Sequence, residues 1–296
     1  MKKLFVAICA LAFFAGCASQ PQTVGELKED ITQKLEPLEG DFAVAFKNLS
    51  DTTERVLINE RAMFHAASTM KTPVMIELFK QAEAGKFALR DSILIENEFY
   101  SIVDSSRYEM DISEDSEGEL YELIGQKRTI RDLINDMITM SSNLATNILI
   151  QKVGAPNVTE TMRSYGADSI KVLRGVEDIK AYKRGLSNRT TALDELIIYT
   201  RLGRGKAVSP EASQAMIDIL KKQHFNEMIP AKLPKEVTVA HKTGWITGVH
   251  HDSGLVILPD GRKYVLVLLS KNAPNREKVI STFADLSKTI YDFMTR

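Results

Sequence analysis

Strand-like alternation lies near the two ends of this chain and helical periodicity fills its middle, an order that brings both ends into one sheet-containing lobe. Asp41 to Lys47 alternates through Phe42 and Val44, passes the turn residues Asn48, Ser50 and Asp51, and resumes from Arg55 to Asn59, as a hairpin would. Val237–His241, Gly254–Leu258 and Tyr264–Ser270 are strand-like too, with Asp260 and Gly261 as a hairpin turn. Such close succession predicts an antiparallel sheet. Helices are expected over Glu26–Leu38, with Leu27, Ile31 and Leu35 on one face, and over Ser68–Ala84, Thr129–Met140, Asn143–Val153 and Thr191–Leu202. A closing amphipathic helix carries Val279, Phe283, Leu286, Ile290 and Phe293. The fold class is therefore α/β in the α+β sense.

Two stretches fall outside this periodicity. Glu96 to Gln126 is polar and acidic, with Asp111, Glu114, Asp115, Glu117 and Glu119 close together, and reads as a solvated surface segment. Residues 167–190 have no period and read as an irregular loop, of a length uncommon unless functional.

With 296 residues, 44% of them hydrophobic, the chain can bury a large core, which excludes disorder and a coiled coil. The 38 basic side chains balance 39 acidic ones, leaving no electrostatic footprint for a nucleic-acid partner. Both cysteines, Cys9 and Cys17, fall in the first seventeen residues, so neither a disulfide nor a cysteine zinc site is expected in the body of the protein. The eleven methionines sit mostly at apolar helical spacings, as core fillers do.

The N-terminus reads Lys2, Lys3, an apolar run from Leu4 to Phe14, then Ala15, Gly16 and Cys17 before a polar stretch. The apolar run is too short to span a bilayer and fits a signal peptide over 1–16. Small residues before Cys17 resemble a bacterial lipobox, with Phe14 where leucine is usual. The resemblance implies acylation of Cys17, a tether over 17–25, and an exported, lipid-anchored protein of the cell envelope. Losing Lys2 and Lys3 leaves the mature chain slightly acidic, so acyl chains rather than charge would hold it at a membrane.

Ser68 and Lys71 are three residues apart, close enough on a helix for a hydroxyl to meet an amine. Serine is a poor nucleophile at its free pKa, and a lysine whose pKa is lowered by burial can serve as its base. That pair alone is weak, since a helix cap beside a surface lysine has the same spacing. It gains weight from Ser141, Ser142 and Asn143 at a helix–helix turn, and from Lys242, Thr243 and Gly244 at the end of a predicted strand. In this order the three motifs resemble Ser-X-X-Lys, Ser-Asp-Asn and Lys-Thr-Gly of the serine β-lactamase and penicillin-binding protein superfamily. The similarity is greatest to class A β-lactamase-like serine hydrolases and runs from the first helix to the last.

This resemblance implies a single catalytic domain over 26–296, with an α/β lobe (26–66 and 205–296), a helical lobe (67–204) and the site between them. Ser68 would be the acylated nucleophile, Lys71 its proton acceptor, and Ser141 the donor to the leaving nitrogen. Asn143 would hold the substrate amide, Lys242 and Thr243 its carboxylate, and Gly244 would leave room for its backbone. The N–H groups of Ser68 and Trp245 would form the oxyanion hole. A loop glutamate activates the deacylating water in such enzymes, which points to Glu177, with Asp178 as its neighbouring competitor. No cofactor or metal is implied. A monomer acting on a small β-lactam or cell-wall peptide is expected.

Several positions depart from the family pattern. Ser142 stands for aspartate, Ala181 for the asparagine that helps position the water, and Trp245 for a small residue. Ser253 stands about where many relatives place an arginine for the substrate carboxylate, a role Arg276 could take over. Ser142 and Ala181 keep open a D-alanyl-D-alanine peptidase or esterase, or a penicillin-binding sensor that deacylates slowly. His250, His251 and Asp252 invite a zinc or Ser-His-Asp reading. Side chains that alternate faces of one strand, without a partner motif elsewhere, favour a structural or pocket-rim role instead.

Overall fold

A computed structural model describes residues 23–296. The expected signal peptide, Cys17 and most of the expected tether lie outside the described residues. In chain order, α1 (Val24–Leu35) leads to β1 (Asp41–Asn48), β2 (Arg55–Ile58) and the short β3 (Phe64–His65). A 3-10 turn (Ala67–Met70) then runs into α2 (Lys71–Glu83). The middle holds β4 (Ser92–Leu94), β5 (Phe99–Tyr100), β6 (Arg107–Tyr108), β7 (Lys127–Thr129), α3 (Ile130–Thr139), α4 (Asn143–Val153) and α5 (Ala155–Ser164). After α6 (Ile179–Lys183) and β8 (Arg189–Thr190) come α7 (Ala192–Gly203) and α8 (Pro210–Leu220). The chain closes with β9 (Thr238–Ile246), β10 (Val249–Ile257), β11 (Lys263–Lys271) and α9 (Arg276–Met294).

The main sheet is antiparallel, in the order β2-β1-β11-β10-β9, so the first and last strands in sequence pair directly. Alternation along each strand feeds two separate cores. Ala43 and Ala45 on β1, with Val265, Val267 and Leu269 on β11, face α7 and the helical lobe. Phe42, Val44, Phe46, Tyr264, Leu266 and Leu268 face α1 and α9. Leu27, Ile31 and Leu35 are the buried stripe of α1, whose start is fixed by a Thr23–Glu26 capping box. Although α7 belongs to the sequence-expected helical lobe, it packs along β1, β10 and β11 and joins the two lobes.

The late strands are longer than their apolar cores suggested. β9 and β10 run on either side of a tight turn at Gly248 (φ 72°), so Lys242–Trp245 and His250–Asp252 lie within strands. The helix expected from Ser68 begins one turn later, because Ala67 is held at φ 45° and the chain first tightens into the 3-10 turn. The acidic stretch is exposed at Asp111, Glu114 and Glu119, as expected of a surface segment, but Asp115 and Glu117 turn inward and accept backbone N–H groups at the starts of helical turns. Among the described residues no helix is long and apolar enough to cross a membrane.

Candidate active site

Ser68 sits in the 3-10 turn between the lobes, with β9 passing directly beside it. A Cβ added at Gly244 would come within 3.1 Å of the Ser68 nitrogen and 3.2 Å of the Thr69 nitrogen, so a larger residue there would press on the turn. β9 is an edge strand, and its free side presents backbone groups toward the cleft. That cleft encloses about 1090 Å3 and is lined by Ser68, Asn143, Arg174, Glu177, Tyr182 and Trp245, among others. Among the described residues, three of the six non-glycine residues in the left-handed region, Ala67, Ser141 and Glu177, belong to this site. Backbone strain of this kind persists only where surrounding contacts over-determine it.

Two lysines converge on one hydroxyl. Lys71 Nζ donates to Ser141 O (2.6 Å), Ser141 Oγ (3.2 Å) and Asn143 Oδ1 (3.0 Å). Lys242 Nζ donates to the same Ser141 Oγ (3.1 Å) and to Thr243 O (3.0 Å). Both lysines are fully buried. Burial lowers Lys71 to about 7, although Asp115 and Glu177 pull it back toward the charged form. Burial, then the charge of Lys71, holds Lys242 well below its ordinary value. The hydrogen bonds of Lys71 go to Ser141 and Asn143.

Asn143 links this cluster to the loop carboxylate: its Nδ2 donates to Glu177 Oε1 (2.9 Å), and the Asp111 N–H approaches Glu177 Oε2 (3.3 Å). Burial raises the Glu177 carboxyl, partly offset by these two hydrogen bonds. Asp178 is committed elsewhere. It accepts from Ser101 Oγ (2.9 Å), Ile102 N (2.9 Å) and Ala181 N (3.0 Å), capping α6 and stitching the loop to the β5–β6 hairpin. Of the two neighbours, Glu177 is the one whose carboxylate lies against the cluster.

The departures have structural explanations. Ser142 is buried and caps α4 through Ala145 N (3.2 Å), a role serine and aspartate fill about equally well. Ala181 is fully buried in α6 and offers no polar side chain. Trp245 is 62% exposed and lines the cleft. Ser253 is buried opposite Lys242, and Arg276 pairs with Glu227 (2.9 Å) at the surface. His250, His251 and Asp252 are buried within β10 rather than at a pocket rim. Asp252 accepts from Ile229 N (3.0 Å) and pairs with His241 Nδ1 (2.7 Å), while His241 Nε2 meets Asn226 Oδ1 (3.1 Å).

Two site residues were missed by sequence reasoning. Asp115 accepts from Asn143 N (2.8 Å) and Leu144 N (2.9 Å), an anion at the start of α4 that fixes Asn143. Asn147 grips Val176 from both sides, its Oδ1 accepting from Val176 N (2.6 Å) and its Nδ2 donating to Val176 O (3.0 Å). A Cβ on Gly175 would lie 2.2 Å from Asn147 Oδ1. One helical turn separates Asn147 from Asn143, and that spacing could have exposed it.

Residues 26–294 match the model of the beta-lactamase enzyme family. The chain belongs to this family. Its resemblance to class A β-lactamase-like serine hydrolases, drawn from three short motifs, thus extends over nearly the whole chain. Beta-lactamase VEB-1 of Pseudomonas aeruginosa is 23% identical over 98% of each chain. Among solved structures, a β-lactamase from Sphaerobacter thermophilus has a TM-score of 0.78 at 24% identity, covering 93% of this chain and 98% of that one. PBP-A has a TM-score of 0.78 at 23% identity, with 94% and 99% covered. As a β-lactamase-family protein this chain has the expected mixed fold, an antiparallel sheet with helices, and is a serine hydrolase by family.

Proposed function

We propose that this β-lactamase-family enzyme opens β-lactam rings by acyl transfer to Ser68 and hydrolyses the acyl-enzyme with a water activated by Glu177. The observation that carries the reading is one hydrogen-bonded path, Lys242–Ser141–Lys71–Asn143–Glu177, running around the nucleophile. With a pKa of about 7, Lys71 is neutral in a large fraction of molecules at neutral pH and takes the Ser68 proton as Oγ attacks the lactam carbonyl. The Ser68 and Trp245 N–H groups receive the oxyanion. Ser141 Oγ passes a proton to the leaving nitrogen and is resupplied by either lysine. Glu177 then takes a proton from the water that attacks the ester. Lys242 and Thr243 hold the substrate carboxylate, and the edge of β9 aligns its backbone beside Gly244.

Ala181 favours a second reading, in which deacylation is slow and the protein acts as a penicillin-binding sensor or as a peptidase on cell-wall peptides. A PBP-A variant carrying a leucine-to-glutamate substitution, in one of the similar structures, is an acyl-enzyme complex with penicillin G. Steady-state turnover of a chromogenic cephalosporin by residues 18–296, set against cleavage of a D-alanyl-D-alanine peptide, separates the two. Sustained cephalosporin turnover supports the hydrolase. Peptide cleavage without it supports the second reading.

Export follows from the leader, and acylation of Cys17 would place this monomer at the cell envelope. Fractionation of cells carrying the wild type or Cys17→Ala tests this, with release of the variant into the soluble fraction as the expected result.

A further inference from the structure

His65 and His251 take no part in the steps above, yet they lead to the nucleophile. Fully buried His251 accepts from Ser270 N at Nδ1 (3.2 Å), which leaves its proton on Nε2, and Nε2 donates to His65 O (2.8 Å). His65 Nδ1 in turn accepts the Ala67 N–H (3.0 Å). Ala67 is the left-handed residue (φ 45°) that immediately precedes Ser68. Phe64 packs edge-on against His251 and Tyr182 against His65, fixing both rings. We propose that His65, anchored by His251, is a positioning residue that acts through the Ala67 amide to hold the strained turn and aim Ser68.

This role requires neutral rings, because a proton on His65 Nδ1 would confront the Ala67 N–H with a second donor and release the turn. Burial, then the charge of Arg174, holds His65 below its ordinary value, and burial holds His251 near 4. The groups around His65 are Arg174 and Tyr182 from the loop, Arg189 across the β3–β8 pair, Lys271 bound to Met63 O, and His251 itself. Of these, Arg174 is the charge that opposes protonation of the ring. The imidazole thus remains an acceptor over the neutral range and fails only in acid.

The inference rests on Ser68 as the acylated residue. His65→Asn keeps an acceptor near Nδ1 and cannot titrate, whereas His65→Leu removes it. With melting temperatures confirming that both are folded, acylation by a chromogenic cephalosporin should slow roughly ten- to a hundredfold in His65→Leu with little change in KM. His65→Asn should restore most of the rate and lose part of the wild-type decline in acid. Equal rates in wild type and His65→Leu, or an Asn variant as slow as the Leu variant, would overturn the proposal. Absence of any wild-type adduct would instead count against the β-lactam reading. In that event 15N-labelled protein still decides: the Ala67 amide must follow the His65 titration, and a silent amide refutes the coupling.

Discussion

Lys71 Nζ stands 3.0 Å from Asn143 Oδ1, and this contact fixes which way the amide faces. With its oxygen toward a nitrogen donor, its Nδ2 is left facing Glu177 Oε1 at 2.9 Å. One side chain therefore orients both the proposed base for acylation and the carboxylate proposed for deacylation. Asn143→Ala is expected to slow both half-reactions roughly ten- to a hundredfold, as loss of positioning does. Pre-steady-state rates resolve the two steps. A change confined to one of them would show that the bridge has a single function.

Glu177 and Asp178 are adjacent in sequence and should behave differently when removed. Glu177→Ala is expected to accumulate the acyl-enzyme, with deacylation reduced by about 10²–10⁴-fold and acylation far less affected. Asp178→Ala instead removes three accepted hydrogen bonds around α6 and should lower the melting temperature. Intact-mass kinetics and thermal melts distinguish these outcomes.

Lys71 predicts a pH dependence of acylation. Its proton leaves near pH 7, so the acylation rate should climb between about pH 6 and 8 as the neutral amine forms. Folding is linked in the same direction, because the unfolded chain binds this proton up to its ordinary pKa near 10.4. Stability from this group therefore falls as pH drops from about 10.4 toward 7, and is flat below 7, where both states carry the proton. Stopped-flow acylation over this range checks the activity limb, and Lys71→Ala should abolish it.

Glu195 lies beneath the nucleophile turn, fully buried, accepting from Thr190 Oγ1 (3.0 Å). Burial raises its carboxyl to about 8. A raised folded-state pKa means the native protein keeps a proton that the unfolded chain releases near pH 4.3, so stability is lost as pH rises toward 8. Glu195→Gln keeps the bond without the titration. It should match the wild type at pH 4 and be clearly more stable than it at pH 8 in denaturant melts.

How far the sequence went is clear from individual residues. The apolar stripe Leu27, Ile31 and Leu35, the hairpin at Asp260–Gly261 and the closing helix were legible because local periodicity alone determines them. Ser68, Lys71 and Lys242 were legible because their neighbours are part of a short motif. Asp115 was not: it lies in an acidic run whose composition suggests solvent, and only the fold brings it to the start of α4. α8 was missed, although Ser209 as its cap and Pro210 at its first turn mark the start. The reach of His251 to His65, 186 residues away, is a tertiary contact with no local trace.

The most direct test of the account is the intact mass of residues 18–296 mixed with a chromogenic cephalosporin, sampled from milliseconds to hours, with Ser68→Ala alongside. The account predicts a transient adduct of one equivalent on the wild type, mapped to the Ser68 peptide, that decays as product forms, and none on Ser68→Ala. An adduct that appears equally on Ser68→Ala, or product formed by that variant at the wild-type rate, would contradict it.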